Sequence, residues 1–300
     1  MDPLETLTRI NLDDLVASFG WQDQAILAGT LRRLCRQPAR KFAHQMLEFD
    51  SDIESYGFVQ AARKAQRRYV KDVRIYLCPS ESSRTASLPS GPILALSNHP
   101  GITDTLALFC ALDRPDLKVI ALDRPFLTAL PNMSEKLFFM SEDQASRIRL
   151  VRQVASHLRA GGAALTFPAG RIEPDPGVHA GAAESLGSWT DSVGVFMRMA
   201  PDTLILPVLV RNVISGGLAR NPLLKLKRSR EERERLAAAL QLLSMILWSA
   251  RPVSVTVQVG RAIAARDLGS LDAGVIHRAV LQEMSQLIAN PPQGAGVSVL

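Results

Sequence analysis

Short apolar runs alternate with stretches of helical spacing from Gly91 onward, and several of the runs end in a turn rich in proline and glycine. Apolar runs of this length, bounded by turn residues, predict buried strands. Strands that alternate with helices predict an α/β fold with a mostly parallel central sheet flanked by helices. The predicted strands are Val73–Leu77, Ile93–Leu96, Val119–Leu122, Leu137–Met140, Ala163–Phe167, Leu204–Val210 and Val253–Val259, and the predicted helices cover 102–112, 145–159, 190–200, 229–249 and 273–289.

A small helical region is predicted to precede the sheet, over residues 1–72. Helical spacing of apolar residues predicts helices at 13–19, 24–35 and 39–47, with Gly20 and Pro38 as breaks. Residues 73–290 are predicted to form the α/β domain, and 291–300 a mobile tail.

A fourth N-terminal helix, predicted at 58–70, carries a cluster of basic residues at three- and four-residue spacing. The cluster is either a solvated helix face or a surface for anionic lipid or an acyl carrier protein. Its members are Arg63, Lys64, Arg67, Arg68 and Lys71.

The composition limits the classes of partner. The net charge of +6 and the pI near 9.5 suit an anionic bilayer, an acidic carrier protein, the phosphates of coenzyme A or nucleic acid. Aromatic residues make up only 5% of the chain and show no stacking pattern, so nucleic-acid binding is not expected. Without a secretory signal or an apolar window long enough to span a bilayer, the sequence predicts a cytoplasmic protein, soluble or peripheral on the membrane.

Neither the cysteines nor the histidines have the spacing of a metal cluster, so no metal is expected. The cysteines Cys35, Cys78 and Cys110 are predicted to be small buried hydrophobes.

The predicted helix at 229–249 has two interpretations. It is either a core helix on the sheet or an interfacial helix with Trp248 and Arg251 at the headgroup level. The preceding basic and apolar segment 223–228, Leu-Leu-Lys-Leu-Lys-Arg, supports the second interpretation.

The turn after the strand Ile93–Leu96 carries His99 and, five positions on, Asp104. Open α/β sheets place their ligand chemistry where a strand passes into a helix. The aspartate can fix one ring nitrogen of the histidine and leave the other to take a proton, which predicts a general base. The alternative is a turn histidine beside a helix cap. A serine hydrolase is disfavoured because no Gly-x-Ser-x-Gly elbow occurs, and a nucleotide enzyme because glycine-rich phosphate loops are absent.

Two further strands end in related features. Ala163–Phe167 runs into Pro168-Ala-Gly170-Arg171, and the strand that follows contains Leu206-Pro207-Val208. Together with Asn98-His99-x4-Asp104, these segments resemble the glycerolipid acyltransferase family, which includes the lysophosphatidic acid and glycerol-3-phosphate acyltransferases. The resemblance covers residues 73 to 260.

The resemblance implies transfer of a fatty acyl group from acyl-CoA or acyl carrier protein to the hydroxyl of a lysophospholipid or glycerol-phosphate-like acceptor. It implies no cofactor beyond this co-substrate, and a peripheral location on the inner face of the membrane. His99 and Asp104 are the candidate catalytic residues, and the oxyanion would take N–H groups near Gly101 or Gly170. The candidate substrate-binding residues are Asn98, Gly101, Arg124, Phe167, Pro168, Gly170 and Arg171. Asn98 has a second interpretation, as a residue that holds the turn, and Arg171 another, as an ion-pair partner of Glu173 or Asp175.

The chain departs from the family pattern where a substrate phosphate would be held. This block of the family usually reads Phe-Pro-Glu-Gly-Thr-Arg. In this chain Ala169 stands in place of the glutamate, Arg171 in place of the threonine and Ile172 in place of the arginine. The segment after Leu137–Met140 lacks the basic residue that the family places there. Phe-Pro-x-Gly variants resemble ornithine-lipid and haemolysin-like members, which implies an amino-acid lysolipid as an alternative acceptor. A lipid-binding relative without turnover is the non-enzymatic alternative.

Overall fold

The computed structural model describes residues 2–77, 88–141 and 143–300. Cys78 and residues 79–87, which follow it before the second predicted strand, lie outside these residues.

The centre of the molecule is a mostly parallel sheet, as the alternating pattern predicts. Its strand order is β4-β3-β5-β2-β6-β7-β1-β9, with β8 paired to β6 on the side. The pairs β6–β7, β6–β8 and β1–β9 are antiparallel, and the other described pairs are parallel. The strands are β1 Asp72–Leu77, β2 Ile93–Ser97, β3 Lys118–Leu122, β4 Leu137–Met140, β5 Ala163–Thr166, β6 Leu204–Arg211, β7 Ser254–Val259, β8 Ile263–Ala264 and β9 Val297–Ser298.

Both faces of the sheet are covered, because successive side chains of a strand point to opposite sides. In β2, Ile93 and Ala95 belong to one hydrophobic cluster and Leu94 and Leu96 to the other. Helices α3, α4 and α11 contribute to the first cluster, and α7, α9 and α12 to the second. The helices are α1 Pro3–Phe19, α2 Ala25–Tyr56, α3 Phe58–Tyr69, α4 Ile102–Leu112, α5 Pro125–Thr128, α6 Pro131–Ser134, α7 Gln144–Arg159, α8 Ala182–Ser185, α9 Val193–Met199, α10 Gly216–Ala219, α11 Arg230–Trp248 and α12 Ala273–Ala289.

The expected break at Pro38 is wrong, because α2 runs without interruption through it. A proline inside a helix removes one N–H bond to the carbonyl four residues earlier. Here that residue is Leu34, which is 73% exposed, so water can reach this turn of the helix. Packing of α2 along α1 buries Pro38 and Ala39 and keeps the helix continuous. Gly20, by contrast, ends α1 in a left-handed conformation, as predicted.

The C-terminal segment was not expected to pair with the sheet. Val297–Ser298 forms β9 against β1, and the Ser298 hydroxyl donates to Asp72 over 2.6 Å. The amide of Val299 adds a bond to the carbonyl of Val73. A mobile tail over 291–300 does not describe this part of the segment, because the edge of β1 offers free ladder partners that a sequence pattern does not reveal.

Helix α11 is amphipathic and not wholly buried. Ala237 and Met245 are buried, whereas Trp248 at the end is 73% exposed. The core interpretation holds for the inner face, and the exposed Trp248 leaves the interfacial one open. Within the described residues, no helix combines the length and the apolarity that crossing a bilayer requires.

The basic residues of α3 are largely paired within the protein. Arg63 contacts Asp113, Lys64 contacts Asp52 and Arg68 contacts Glu48. These pairs fit a structural face of the helix better than a surface of free cations.

Of the cysteines, Cys110 is buried as expected, and burial raises the pKa of its thiol to about 12. Cys35 is only half-buried, which departs from the expectation.

Candidate active site

The turn between β2 and α4 places His99 at the carboxyl edge of the parallel strands. Asn98 continues the pairing of β2 with β6 through its side chain: its amide nitrogen donates to the carbonyl of Val210 over 3.0 Å, and its amide oxygen accepts from the Val210 N–H over 2.8 Å. Asn98 is buried. It therefore holds the turn, as its second interpretation states, and a contact of Asn98 with substrate stays a prediction.

His99 and Asp104 form the contact that their spacing predicts. Nδ1 of His99 lies 2.8 Å from Oδ2 of Asp104. The carboxylate can only accept, so Nδ1 carries the ring proton and Nε2 is left with a free lone pair. The His99 side chain is 28% exposed and Asp104 is fully buried. Among the residues that the structure describes, Nε2 has no hydrogen-bond partner.

Asp104 is itself fixed at the start of α4. Its Oδ2 also accepts from the Gly101 amide over 3.0 Å, and its Oδ1 accepts from the amide and the hydroxyl of Thr105. These bonds satisfy helix-end donors and leave the carboxylate a single orientation toward the imidazole. Asp104 therefore both caps the start of α4 and orients the His99 ring.

The surroundings of His99 favour its protonated form. Burial by itself lowers the pKa of His99, but the charge of Asp104, the hydrogen bond to it and the charge of Glu173 outweigh burial. The net result is a pKa above the ordinary value of 6.5. The imidazole is therefore a stronger base than a free one.

The second turn, after β5, brings Phe167 onto the imidazole. The two rings lie 4.6 Å apart at their centroids and are tilted by 32°. Pro168 is buried, and its carbonyl accepts from the amide of Thr190. Gly170 is exposed with φ of +62°, a conformation that favours glycine. Phe167 therefore lies beside His99, and Pro168 serves the packing of the turn. A substrate contact for Phe167, Pro168 or Gly170 stays a prediction.

The amides of Gly101 and Gly170 themselves are both bonded within the protein. The Gly101 amide donates to Asp104, and the Gly170 amide donates to the Phe167 carbonyl over 3.0 Å. A Cβ at Gly101 would lie 3.1 Å from Val213, so close packing favours glycine at this position. An oxyanion contact from other N–H groups near the two glycines, and a substrate contact for either glycine, stay predictions.

The two candidate cations lie on the surface. Arg171 is half-exposed and pairs with Glu231 at the start of α11, with 3.4 Å between Nη1 and Oε2. The expected alternative, an ion pair with Glu173 or Asp175, is wrong. Arg124 is exposed and lies between β3 and α5. Its charge lowers the pKa of Asp14 in α1, although burial raises that pKa overall. Both follow strands that end at the same sheet edge as β2, and a substrate contact for either stays a prediction.

Glu173 and Asp175 are buried, and each holds backbone groups. Glu173 accepts from the backbone amide of His99 over 3.2 Å. Asp175 accepts four backbone N–H groups, one from Gly177 and three from the loop after β6, residues 212–214. From the sequence, both acids were expected only as ion-pair partners of Arg171. Their alternate spacing directly after a turn is the signal for the observed role, because a buried carboxylate without a cation commonly bonds to backbone N–H groups.

Within the described ranges, no three His, Cys, Asp or Glu side chains come together as metal ligands. A cavity of about 570 Å³ lies at the opposite, amino edge of the sheet, beside Gly91, Cys110 and Asp113, and His99 does not line it. The arrangement at His99 is that of an oriented imidazole with one open nitrogen.

Similarity to known proteins is found among solved structures. No family model matches the sequence, and no curated protein matches it. Among solved structures, the chain is similar to the crystal structure of the 1-acyl-sn-glycerophosphate (LPA) acyltransferase PlsC from Thermotoga maritima, with a TM-score of 0.45 and 15% sequence identity over 86% of this chain and 85% of that one. Similarity of this degree assigns no activity, which has to be inferred from the site itself.

Proposed function

We propose that this protein is an O-acyltransferase that uses His99 as a general base. The observation that carries the proposal is the 2.8 Å contact between Nδ1 of His99 and Asp104, with Nε2 unpaired among the described residues. An oriented imidazole without a serine or cysteine nucleophile suits a reaction in which the substrate supplies the hydroxyl. The donor is the thioester of coenzyme A or of acyl carrier protein, and the acceptor is a lysophospholipid or a glycerol-phosphate-like alcohol.

In the proposed reaction, Nε2 of His99 takes the proton of the acceptor hydroxyl as its oxygen attacks the thioester carbonyl carbon. Asp104 stabilises the imidazolium that forms. The tetrahedral intermediate then breaks its carbon–sulfur bond, and the imidazolium returns the proton to the departing thiolate. The products are an ester and a free thiol.

The acceptor's head group is the open part of this proposal. The half-exposed Arg171 offers a planar guanidinium for a phosphate or a carboxylate, although Glu231 already shares it. Both a phosphate-bearing lysolipid and an amino-acid lysolipid fit one such cation. The sequence Phe-Pro-Ala-Gly-Arg, without the acidic residue, keeps the second acceptor in the proposal.

The test is an assay of the purified full chain with labelled acyl-CoA or acyl carrier protein and a panel of lysolipids of both classes. We expect label in one class of ester, and at least a hundredfold lower rate for His99→Ala. His44→Ala is the matched control, because His44 is exposed on α2 and pairs only with Glu48. Lipid binding without turnover would support the non-catalytic relative, and full activity in His99→Ala would refute the base.

We also propose that the enzyme works at an anionic membrane surface. The turn Pro222–Leu226 exposes Leu223 and Leu226, the latter by 76%, and Lys225, Lys227 and Arg228 alternate with them. Apolar side chains within a basic segment bind anionic lipid through burial and charge together.

Co-sedimentation with vesicles tests this surface. We expect the double variant Leu223→Ser, Leu226→Ser to lose most of its binding to vesicles rich in phosphatidylglycerol, and the intact chain to bind phosphatidylcholine vesicles weakly. Ile148→Ser is the control, because Ile148 is an exposed apolar residue on α7. Equal binding of the double variant and the control would contradict the assignment.

A further inference from the structure

The segment after the Phe-Pro turn crosses the carboxyl edge of three neighbouring strands. It leaves β5, and the next strands in the sheet are β2 and β6. Glu173 bonds to the turn after β2, and Asp175 bonds to the loop after β6. The segment 171–175 therefore ties together the strand ends around His99.

Glu173 and His99 are joined in both directions. The Glu173 amide donates to the carbonyl of His99 over 2.9 Å, and Oε2 of Glu173 accepts from the amide of His99 over 3.2 Å. Both backbone polar groups of the histidine are thus held by one residue. This leaves the His99 backbone little freedom to rotate and fixes the point from which its side chain reaches Asp104.

The other carboxylate oxygen of Glu173, Oε1, is held by side chains that follow it in the chain. Oε1 accepts from the indole Nε1 of Trp189 over 2.8 Å and from the hydroxyl of Ser185 over 3.1 Å. Trp189 is buried in the cluster of α7, α9 and α12. The carboxylate thus connects the His99 turn to the packed core below the sheet.

A carboxylate at this position is costly, which argues for a specific use. Glu173 is 2% exposed, and burial raises its pKa while the bonds from Trp189, Ser185 and His99 lower it. Among the described residues it pairs with no lysine or arginine. A carboxylate buried without a cation destabilises the fold unless hydrogen bonds compensate for the lost hydration. An apolar residue at this position would have no such desolvation cost.

We propose that Glu173 is a positioning residue for His99: its bonds to the His99 backbone, anchored by Trp189 and Ser185, aim the imidazole at Asp104 and at the acceptor. The inference rests on the proposed function only for its kinetic readout, because the position of the imidazole can be observed without turnover.

The test compares Glu173→Gln with Glu283→Gln in the full-length chain. Glu283 is the matched control, since it is a buried glutamate that accepts a backbone amide, from Arg261 over 2.9 Å, on α12. In Glu173→Gln we expect kcat to fall about tenfold to a hundredfold, the cost of a misplaced catalytic group, with KM changed less than twofold. Glu283→Gln should lose comparable stability and keep its kcat.

The second measurement is the nuclear magnetic resonance spectrum of the histidine side chains, with the His99 signals assigned by their absence in His99→Ala. In Glu173→Gln the pKa of His99 should fall, since a negative charge is removed, and the signal of its Nδ1 proton bonded to Asp104 should move. Trp189→Phe, which keeps Glu173 and removes the indole N–H together with part of a buried ring, should give a smaller change in the same direction and guards against misfolding of the first variant.

Unchanged His99 signals in both variants would overturn the proposal, whether or not the protein shows acyltransfer. Shifted signals in a protein without acyltransferase activity would support the positioning role and refute the proposed function separately. Loss of kcat in Glu283→Gln equal to that in Glu173→Gln would reduce the role of Glu173 to general stability.

Discussion

The turns after β2 and β5 look alike in sequence and differ in what their charged residues do. Each follows a buried strand and contains proline and glycine. In the first turn, Asp104 accepts a hydrogen bond from a side chain, the imidazole of His99. In the second turn, Glu173 and Asp175 accept backbone N–H groups, and the cation Arg171 lies at the surface. A carboxylate near a strand end therefore bonds to the imidazole itself in one turn and to backbone groups in the other.

The difference follows from which partners each carboxylate can reach. Asp104 lies in the first turn of α4 and faces back toward the strand end, where an imidazole is the available donor. Asp175 lies beyond its turn, under the loop after β6, where several backbone N–H groups converge. A buried carboxylate accepts whatever donors surround it, and the fold decides what those are.

The largest effect is expected for Asp104→Asn. The amide has nearly the same shape but carries no charge, and its NH₂ group faces either Nδ1 and the Gly101 amide or the Thr105 amide, so it no longer stabilises the imidazolium. We expect acyltransfer to fall by about 10²–10⁴-fold, with some loss of thermal stability because a buried backbone N–H loses its acceptor. Steady-state kinetics and a melting curve on the same sample measure both. A loss of stability without a loss of activity would show that Asp104 stabilises the fold and does not take part in catalysis.

Asp175→Asn is expected to show the opposite balance. One of the two oxygens becomes an NH₂ group facing backbone donors, which leaves them without an acceptor. We expect about 2–3 kcal/mol lower free energy of unfolding, measured by urea denaturation. Activity per folded molecule should stay within severalfold of normal. A fall of a hundredfold would show that the loop after β6 belongs to the site.

The pH dependence of acyltransfer sharpens the role of the first turn. Only neutral His99 is a base, so the rate should decline about tenfold per pH unit below its raised pKa, and the midpoint should lie above 6.5. In Asp104→Asn the midpoint should move to lower pH, because the neighbouring charge is gone. A midpoint below 6.5 in the intact protein would show that Asp104 and Glu173 do not act on the ring as the geometry implies.

The smallest effect is expected for Arg171→Ala on stability. The pair with Glu231 is exposed, and such pairs contribute about 0–1 kcal/mol. If Arg171 binds the acceptor's anionic group, KM for the acceptor should rise severalfold while kcat changes little. Glu231→Ala is the control, since it removes the same ion pair and leaves the cation. Equal KM values in both variants would remove Arg171 from the binding site.

Much of the fold follows from local patterns. Strands β1 to β7 and helices α4, α7, α11 and α12 are where apolar spacing predicts them, because buried strands need continuous apolar runs and surface helices need an apolar stripe. Helices α1 and α2 extend beyond their predicted bounds. The structure differs from these predictions where a tertiary contact outweighs the local sequence pattern. The helix break at Pro38 was overruled by packing on α1, and the tail was captured by the free edge of β1.

The sequence by itself determined a mostly parallel α/β sheet and the pairing of His99 with Asp104, because strand periodicity and a five-residue spacing are properties of the local chain. Only the tertiary structure decided where Arg171, Glu173 and Asp175 found their partners. Those partners, Glu231, His99 and the loop after β6, are 37 to 74 positions away. Hydrogen-bond donors and charges brought together by distant segments leave no mark in the spacing of either segment.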